Sequence, residues 1–547
     1  MSDIQELGLE YWEWRASQQP RTHDDIPRIE RPENWIPKWA PQDVANYKSD
    51  LIKFQNRLNG IEVGNSTSPK IEISDWVDYQ LISSALSRAH FEINILETWA
   101  RQPRFYIDQT IGVIFDILTI PGVDLSRIKK VIKVLDATPS ILKDGISNLT
   151  SSAVSEYAEI AIGDLSKISE QILQVSNALS KIASADLRTD LMSSAEKAIS
   201  AFIGYRTWLQ NNHSTMKPLR AVGFENYNWF LQNVSLYPYS SEEILQIGQV
   251  EWDRAVAFER IVKNKYRNIE PGPIPQTSAE QVENESNAEI LVRKFYEGES
   301  LLTQPKTLRR YLNAPMPDYL EPLRWLGVSD DLTGPSRLDN DGYSYVPSPT
   351  PSMPYFYAAN ARDTRAGIVH EGAHFQQLAM SWGHQRRLRR HYYDSGVNEG
   401  IAFYNEELML SAGLFDDAPI TQIVMWNFMK LRALRVIVDV NLATGLMDIE
   451  TATRFLEQKV PMDYATAREE AITFSSSPGQ AISYQIGKTQ ILNLFSEAVD
   501  ADKINFDIKA FHDYLWLNGN VPISLLKFEL LADNSDLKKL TDDSKPK

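Results

Sequence analysis

Residues 165–182 read LSKISEQILQVSNALSKI, and the apolar positions in this stretch recur three and four residues apart. These positions are Leu165, Ile168, Ile172, Val175, Leu179 and Ile182. The a/d spacing is typical of the buried face of an α-helix. Because it lasts less than three heptads, it favours packing against another helix of the same molecule over an intermolecular coiled coil.

The same helical periodicity covers much of the rest of the chain. It predicts helices over residues 76–99 and 185–210, and a buried helical segment over residues 111–120. A further helix is predicted to start after Ser240, where the sequence SSEE places acidic residues in the first turn. The sequence therefore predicts a mainly α fold.

Two segments interrupt the helical pattern. Residues 270–285 contain three prolines and many polar residues, which indicates a connection between two halves. Residues 313–354 are rich in Pro, Gly, Asp and Ser, and the aromatic segments 343–346 and 355–357 suit short strands of a small β-sheet. We therefore expect an N-terminal helical lobe at 1–268, a catalytic helical lobe at 286–533 and a polar, disordered tail at 534–547.

Composition limits the chemistry that the chain can perform. The 547 residues include no cysteine and 8 histidines, so a metal site must be built from histidines and carboxylates. The 56 Lys and Arg residues against 72 Asp and Glu residues give a net charge of −16, which would repel a polyanionic backbone. Nucleic acid is thus not expected as a partner.

Signals for membrane insertion or export are not evident in these residues either. The sequence starts with MSDIQELGLEYWEW, which has neither a basic region nor a continuous apolar region. The most apolar stretch, residues 111–120, is ten residues long and carries Asp116, whereas a membrane span needs about 20 apolar residues. We therefore expect a cytoplasmic protein with no membrane partner.

Residues 367–378, GIVHEGAHFQQL, contain an HExxH pattern in an apolar helical context. Residues four apart lie on one face of a helix, so the imidazoles of His370 and His374 can hold one zinc ion while Glu371 projects toward a metal-bound water. A chain of this composition would contain only about 0.01 such patterns by chance. The alternative interpretation is a helix with two unliganded histidines.

A catalytic zinc site needs a third protein ligand, and Glu399 is the best candidate. It lies in the segment NEGIAFYNEE, at the start of a second predicted helix that a loop joins to the first. His384 and His391 are rivals, but they lie in a segment with four arginines, and we expect an exposed basic helix end there. Glu406, on the same helical face as Glu399, is either a hydrogen-bond acceptor for a ligating imidazole or a surface acid.

A helical di-iron site is a different interpretation of the same residues, because Glu371 and His374 also form an ExxH pattern. That architecture needs a second ExxH pattern. The sequence contains none, since a residue other than glutamate stands three positions before each of the other seven histidines. A mononuclear site is therefore favoured.

These motifs, together with residues 477–488, SPGQAISYQIGK, resemble the landmarks of a large bacterial family called domain of unknown function 885, whose members are thought to be metallopeptidases. The segments GFENY at 223–227 and SSEEILQIGQVEW at 240–252 are also similar to the family, so that the resemblance covers residues 220–500. The family in turn resembles the gluzincins, helical clam-shaped oligopeptidases and carboxypeptidases. The resemblance thus implies a large helical zincin-like (gluzincin) fold with a small β-sheet beside the catalytic helices.

The resemblance also implies roles for individual residues. His370, His374 and Glu399 would be zinc ligands, Glu371 the general base, and Tyr484 the phenol that donates to the developing oxyanion; the alternative for Tyr484 is a buried structural tyrosine. The chain departs from many family members in two places. It has a plain HExxH pattern without an inserted Pro-Gly, and it has Thr473 and Phe474 where many members carry Arg-Tyr.

The expected function is zinc-dependent hydrolysis of peptide bonds in short peptides, by an enzyme of the oligopeptidase or carboxypeptidase type. One alternative is a metal-dependent hydrolase or lyase of a small amide or ester in specialised metabolism, and another is a non-catalytic helical scaffold. Residues 355–357, expected as a strand, could line the cleft and pair with an extended substrate, or they could pack in the core. The sequence leaves the oligomeric state and the choice between exo- and endo-cleavage open.

Overall fold

Helices form most of the chain in a computed structural model that describes residues 3–22, 30–350, 353, 355–460, 462–502 and 505–542. The mainly α prediction is confirmed. The helices of the first half are α1 (Asp3–Gln18), α2 (Pro41–Asn59), α3 (Ile73–His90), α4 (Thr98–Arg101), α5 (Arg104–Ile107), α6 (Val113–Thr119), α7 (Leu125–Leu149), α8 (Ser155–Asp164), α9 (Ile168–Ser180), α10 (Ala185–Asn212), α11 (Phe224–Asn233) and α12 (Ser241–Lys265).

The helices of the second half carry the HExxH and SPGQA segments. They are α13 (Ser278–Gly298), α14 (Tyr355–Arg362), α15 (Arg365–Gly367), α16 (Ala373–Ser381), α17 (Ser395–Ala412), α18 (Pro419–Thr444), α19 (Ile449–Lys459), α20 (Tyr464–Ser476), α21 (Ser483–Asp502), α22 (Ile508–Leu517), α23 (Ile523–Leu531) and α24 (Ser535–Asp542). Short π-helical turns lie at Phe91–Leu96, Asp108–Gly112 and Ile368–Gly372, and 3₁₀ turns at Leu165–Lys167, His213–Thr215, Glu321–Leu326 and Arg387–His391.

The a/d pattern at 165–182 forms an intramolecular helix face, as predicted. Helix α9 packs against α10, and all the apolar positions of the pattern up to Leu179 are buried. The pattern does not form one continuous helix, because Leu165 lies in a 3₁₀ turn and Ile182 follows the end of α9. Ile182 is 44% exposed, so the buried face ends one step earlier than the spacing indicates.

Helix α12 begins where the acidic SSEE segment predicts a helix start. The Ser240 side chain accepts a hydrogen bond from the Glu243 N–H, and the Glu243 carboxylate accepts one from the Ser240 N–H at 2.8 Å, which forms a capping box. The helix then packs along α18, and the small Gly248 lies against Val436. Elements from both predicted lobes therefore contact each other, and the division into lobes remains a prediction.

A three-stranded sheet lies beside the HExxH segment, as the sequence predicts. Strand β3 (Tyr311–Pro315) pairs in parallel with β5 (Gly342–Val346), and β4 (Asp330–Asp331) pairs with the other edge of β5 in the antiparallel direction. A second, two-stranded sheet is formed by β1 (Gly64–Asn65) and β2 (Ser68–Pro69). A Cβ atom on Gly342 would lie 2.5 Å from the Phe375 ring, so this glycine lets the larger sheet pack directly on α16.

Three local predictions are wrong. Residues 355–357 begin helix α14 instead of forming a strand, because the three aromatic residues are followed by AANAR, which favours continuation as a helix. Helix α13 starts at Ser278, inside the predicted break. The polar tail contains α24, whose Leu537 is buried in the core because the segment is amphipathic; residues 543–547 lie outside the described residues.

Candidate metal centre

The two histidines of the HExxH pattern point to one place. His370 lies in the π-helical turn Ile368–Gly372 and His374 in the first turn of α16, and their ring centroids are 4.9 Å apart. Both side chains are buried. A Cβ atom on Gly372 would lie 3.3 Å from the Ile368 side chain and 3.8 Å from the Tyr311 ring, so the strand residue Tyr311 packs next to the motif.

Glu399 completes a cluster of three potential ligands. Helix α17 begins at Ser395, and the side chain of the preceding Asp394 accepts a hydrogen bond from the Val397 N–H, so Glu399 lies in the first turns of the helix. Its Oε2 atom is 3.4 Å from the Nε2 atom of His370 and 3.3 Å from that of His374. The candidate ligand atoms all lie within 4.8 Å of one another.

The donor set suits a divalent metal ion. Two imidazole nitrogens and one carboxylate oxygen are the ligand types that zinc accepts in catalytic sites, where a fourth position stays free. Glu399 Oε2 is buried and has no hydrogen-bond donor among the described residues. A buried carboxylate oxygen without a donor is costly, so the cluster fits a cation at its centre.

The electrostatics of the cluster couple the three side chains. Burial disfavours a charged imidazole, but the neighbouring carboxylates of Glu399, Glu406 and Glu371 outweigh this effect and raise the pKa of His370 to about 10. Burial also opposes ionisation of Glu399, yet the charges of His374 and His370 hold its pKa well below the usual range. In the absence of a metal, the site therefore stabilises positive charge at the position of the ligands.

Glu406 lies beside the candidate ligand His370, as the first of its two interpretations predicts. Its Oε1 atom is 2.7 Å from His370 Nδ1 and 2.8 Å from a terminal nitrogen of Arg432. Glu406 is almost fully buried. A carboxylate on the outer nitrogen of a metal-ligating histidine fixes the orientation of the ring, and Arg432 on α18 in turn holds the carboxylate.

Helices α17 and α21 touch through glycines next to the site. A Cβ atom on Gly487 would lie 1.8 Å from the Gly396 carbonyl oxygen, and one on Gly400 would lie 2.6 Å from the Gly487 Cα atom. This close approach places Tyr484, one turn before Gly487, against the cluster of candidate ligands. Its ring stacks on that of His370 with the centroids 6.1 Å apart and an interplanar angle of 13°.

The SPGQA loop before α21 is anchored by a residue that the sequence does not single out. The buried carboxylate of Asp439 on α18 accepts hydrogen bonds from the backbone N–H groups of Gly479 and Ala481, each at 2.9 Å, and from the Tyr227 hydroxyl at 3.2 Å. Gly479 has a φ of 91°, which favours glycine. Asp439 therefore fixes the turn from which α21 carries Tyr484 to the site.

A second carboxylate missed by sequence reasoning lies near Glu371. Asp330 on β4 accepts a hydrogen bond from the Tyr311 hydroxyl at 2.5 Å. Burial, together with the negative charge of Glu371, raises the pKa of Asp330 to about 7. The sequence carries no local signal for this proximity, because the sheet brings Asp330 to the motif from 41 residues away.

The rival histidines lie outside the cluster. His384 Nδ1 accepts a hydrogen bond from the Arg386 N–H, and the His391 ring packs against Trp12 and Trp382. The expectation of an exposed basic helix end is wrong for this segment. Arg389 is buried and pairs with Asp78 and Glu529, because distant acidic residues compensate its charge.

The aromatic residues at the start of α14 are exposed at the surface near the site. Tyr355, Phe356 and Tyr357 are each between 42 and 50% exposed, which argues against the core-packing alternative. Phe356 stacks on Phe428 at 4.7 Å, and Phe428 in turn lies under the Arg432 guanidinium at 5.6 Å. These rings form an aromatic surface beside the candidate metal centre.

Comparison with known proteins gives a family and a fold but no activity. The family described as "Bacterial protein of unknown function (DUF885)" matches residues 33–530. No functionally curated protein matches the chain. A "putative lipoprotein of unknown function" from Shewanella oneidensis has 16% identity and a TM-score of 0.70, with 97% of this chain and 100% of that chain covered. A "putative lipoprotein" from Colwellia psychrerythraea has 17% identity and a TM-score of 0.72, with 100% of both chains covered.

The two neighbours correct the predicted localisation. Both descriptions read "putative lipoprotein", and a lipoprotein is held at a membrane by its lipid, so the prediction of a cytoplasmic protein is wrong. That prediction used the first residues of the sequence and the shortness of its most apolar stretch, and neither feature determines the compartment. Among the described residues, no helix is long and apolar enough to cross a membrane.

Proposed function

We propose that the chain, which belongs to the DUF885 family, is a zinc-dependent hydrolase that cleaves peptide bonds in short peptides. One observation carries the proposal: the ligand atoms of His370, His374 and Glu399 lie within 4.8 Å of one another, although Glu399 is 25 residues from the motif. The arrangement resembles the gluzincin ligand set, in which HExxH is completed by a glutamate on a following helix.

His370, His374 and Glu399 would hold the ion. A zinc ion bound there would polarise the substrate carbonyl and make a bound water more acidic. The chain orients the ligands through buried contacts, since the Glu406 carboxylate meets the outer nitrogen of His370. Zinc is favoured over harder cations because two of the three donors are imidazoles.

Glu371 is the general base in this proposal. It follows the ligand His370 directly and remains partly exposed, so that its carboxylate can reach a water molecule in the cleft. It would accept a proton as the water attacks the carbonyl carbon and then donate this proton to the leaving nitrogen. The amide bond breaks, and a carboxylate and an amine are released.

Tyr484 is the proposed donor to the oxyanion. Its ring is held against His370 by the glycine contact between α17 and α21. A phenol is protonated at neutral pH, and a buried donor that points at the developing charge lowers the barrier. The aromatic residues of α14 would form one wall of the cleft, where they could contact apolar substrate side chains.

The proposal is tested by metal analysis and hydrolysis assays on the same protein preparations. We expect about one zinc per chain, lost on His374→Ala. Glu371→Gln should retain the metal but hydrolyse a library of short peptides at a rate reduced by at least about 100-fold. Tyr484→Phe should also retain the metal and lose turnover. Glu469→Gln, at an exposed position on α20, serves as the control and should leave both quantities unchanged.

Three results would contradict the proposal in different ways. A wild-type protein that binds no metal would favour the scaffold alternative. Hydrolysis of small amides or esters without hydrolysis of peptides would favour the metabolic alternative. Full activity of Glu371→Gln would show that this residue is not the base.

A further inference from the structure

Arg435 is a cation beside the metal centre that the proposed chemistry does not use. It lies on α18 one turn after Arg432, and its guanidinium carbon is 5.9 Å from the centroid of the Tyr484 ring. Arg432 is held by Glu406. Arg435, by contrast, has neither an ion pair nor a hydrogen bond within the described part of the chain.

The other described arginines show how unusual this state is. Within the described ranges, Arg220, Arg260 and Arg387 likewise lack an ion pair and a hydrogen bond, but all three are exposed to solvent. Arg435 is partly buried. A guanidinium removed from water without a counter-charge is unfavourable, and the face of one tyrosine ring compensates for only a part of that cost. The position therefore suits an anionic ligand.

The distance to the metal ligands limits what this anion could be. The Tyr484 ring contacts both Arg435 and His370, at centroid distances of 5.9 and 6.1 Å, so that the guanidinium lies within about 12 Å of the His370 ring. An extended peptide advances by about 3.3–3.6 Å per residue. A carboxylate one or two residues beyond the scissile carbonyl could therefore reach Arg435.

We infer that Arg435 binds the C-terminal carboxylate of the substrate, so that the enzyme removes one or two residues from free C-termini. This inference rests on the proposed function. A guanidinium can bind a carboxylate through two parallel hydrogen bonds, which gives geometric selectivity as well as affinity. Arg432 is already engaged by Glu406 and serves the metal ligands, which leaves Arg435 for the substrate.

Paired substrates test the inference on the zinc-loaded protein. N-acetylated tripeptides are offered as the free acid and as the C-terminal amide. The wild type should cleave the acid with a kcat/KM higher by about 10–100-fold, the range expected for one charge-assisted bidentate contact. Arg435→Gln should lose this preference through a higher KM for the acid, so that it cleaves the acid and the amide with similar kcat/KM.

Two further variants define the contact. Arg435→Lys keeps the charge but not the planar fork and should restore the preference in part. Arg220→Gln removes an exposed arginine that has no ion pair and should behave as the wild type. Because Arg435 has no carboxylate partner to lose, its variants should melt within a few degrees of the wild type. Equal cleavage of acid and amide by the wild type would overturn the inference and leave the hydrolase proposal intact.

A binding measurement separates this inference from the proposed function. In calorimetric titrations of the zinc-loaded protein, N-acetylphenylalanine should bind to the wild type and bind at least about 10-fold more weakly to Arg435→Gln, whereas N-acetylphenylalanine amide should not distinguish the two proteins. Equal binding of the acid to both proteins would overturn the inference. Binding that depends on Arg435 in a protein without peptidase activity would instead refute the proposed function and support the carboxylate site.

Discussion

The contact between α17 and α21 gives a sharp test of how the site is held, through the substitution Gly487→Ala. The new Cβ atom would lie 1.8 Å from the Gly396 carbonyl oxygen and 2.7 Å from the Gly400 Cα atom. Both obstacles are backbone atoms, which no rotamer change can move. The two helices must therefore separate, and they carry Glu399 and Tyr484, respectively.

The loss of stability expected for Gly487→Ala is the sum of two opposing effects. Overpacking against an immovable neighbour costs about 3 kcal/mol, at the upper end of the usual range. Alanine regains about 1 kcal/mol of helix propensity relative to glycine. The net destabilisation should be about 2 kcal/mol. Because Glu399 moves with α17, zinc affinity should fall as well.

Gly204→Ala is the matched control for this variant. Gly204 lies inside α10, and a Cβ atom there would meet nothing within 4 Å. The same exchange should therefore stabilise the protein by about 0.5–1 kcal/mol. Urea unfolding followed by far-UV circular dichroism, together with zinc titration, should rank Gly487→Ala below the wild type and Gly204→Ala above it. A Gly487→Ala protein as stable as the wild type, with full zinc affinity, would refute the packing described here.

Two further substitutions probe buried carboxylates. Glu406→Gln should weaken zinc binding by about 10–100-fold in competition with a chromophoric chelator, because the charge that orients His370 and balances Arg432 is removed; unchanged affinity would show that Glu406 does not act on the ligand. Burial raises the pKa of Glu285 to about 7, above the value near 4.3 of an unfolded chain. Between about pH 4 and pH 7 the folded protein therefore keeps a proton on Glu285 that the unfolded chain has lost, and the stability of the folded state falls as the pH rises through this range. Glu285→Gln should therefore raise the melting temperature at pH 8 but not at pH 4, and an equal shift at both pH values would contradict this account.

Local features of the fold could be predicted from the sequence because they depend on residues close together in the chain. The face of α9, the capping box at Ser240 and the span of α10 follow from spacing and local hydrogen bonding. The strand prediction at residues 355–357 was wrong because it rested on three aromatic residues alone. The tail was predicted to be disordered because it is rich in polar residues, although its apolar residues lie on one face of α24. In α24, Leu537 is buried against the rest of the chain, and only its tertiary contacts reveal why this polar segment is ordered.

The residues of the candidate site also fall into two groups, those that local spacing predicts and those that only tertiary packing brings together. His370 and His374 are four residues apart, so helix geometry alone brings them together, and the structure places Glu399 next to them. Asp330 and Arg435 carry no comparable pattern. They come close to the motif because a strand and a long helix pack there, and a single sequence contains no signal for such contacts between distant segments.

The charges around the histidines favour a divalent cation, and this argument is independent of the HExxH spacing. Glu371, Glu399 and Glu406 supply three carboxylates, and Arg432 supplies one guanidinium that pairs with Glu406. Arg435 would be neutralised by the inferred substrate carboxylate, and the raised pKa of Asp330 favours its neutral form. With neutral histidine ligands, two negative charges then remain at the cluster, which is costly without compensation. A divalent ion balances both charges, whereas a monovalent ion would leave one. Since Arg432 already neutralises Glu406, the remaining pair consists of a ligand and the proposed base, Glu399 and Glu371, which are the two carboxylates that the proposed reaction needs in ionised form.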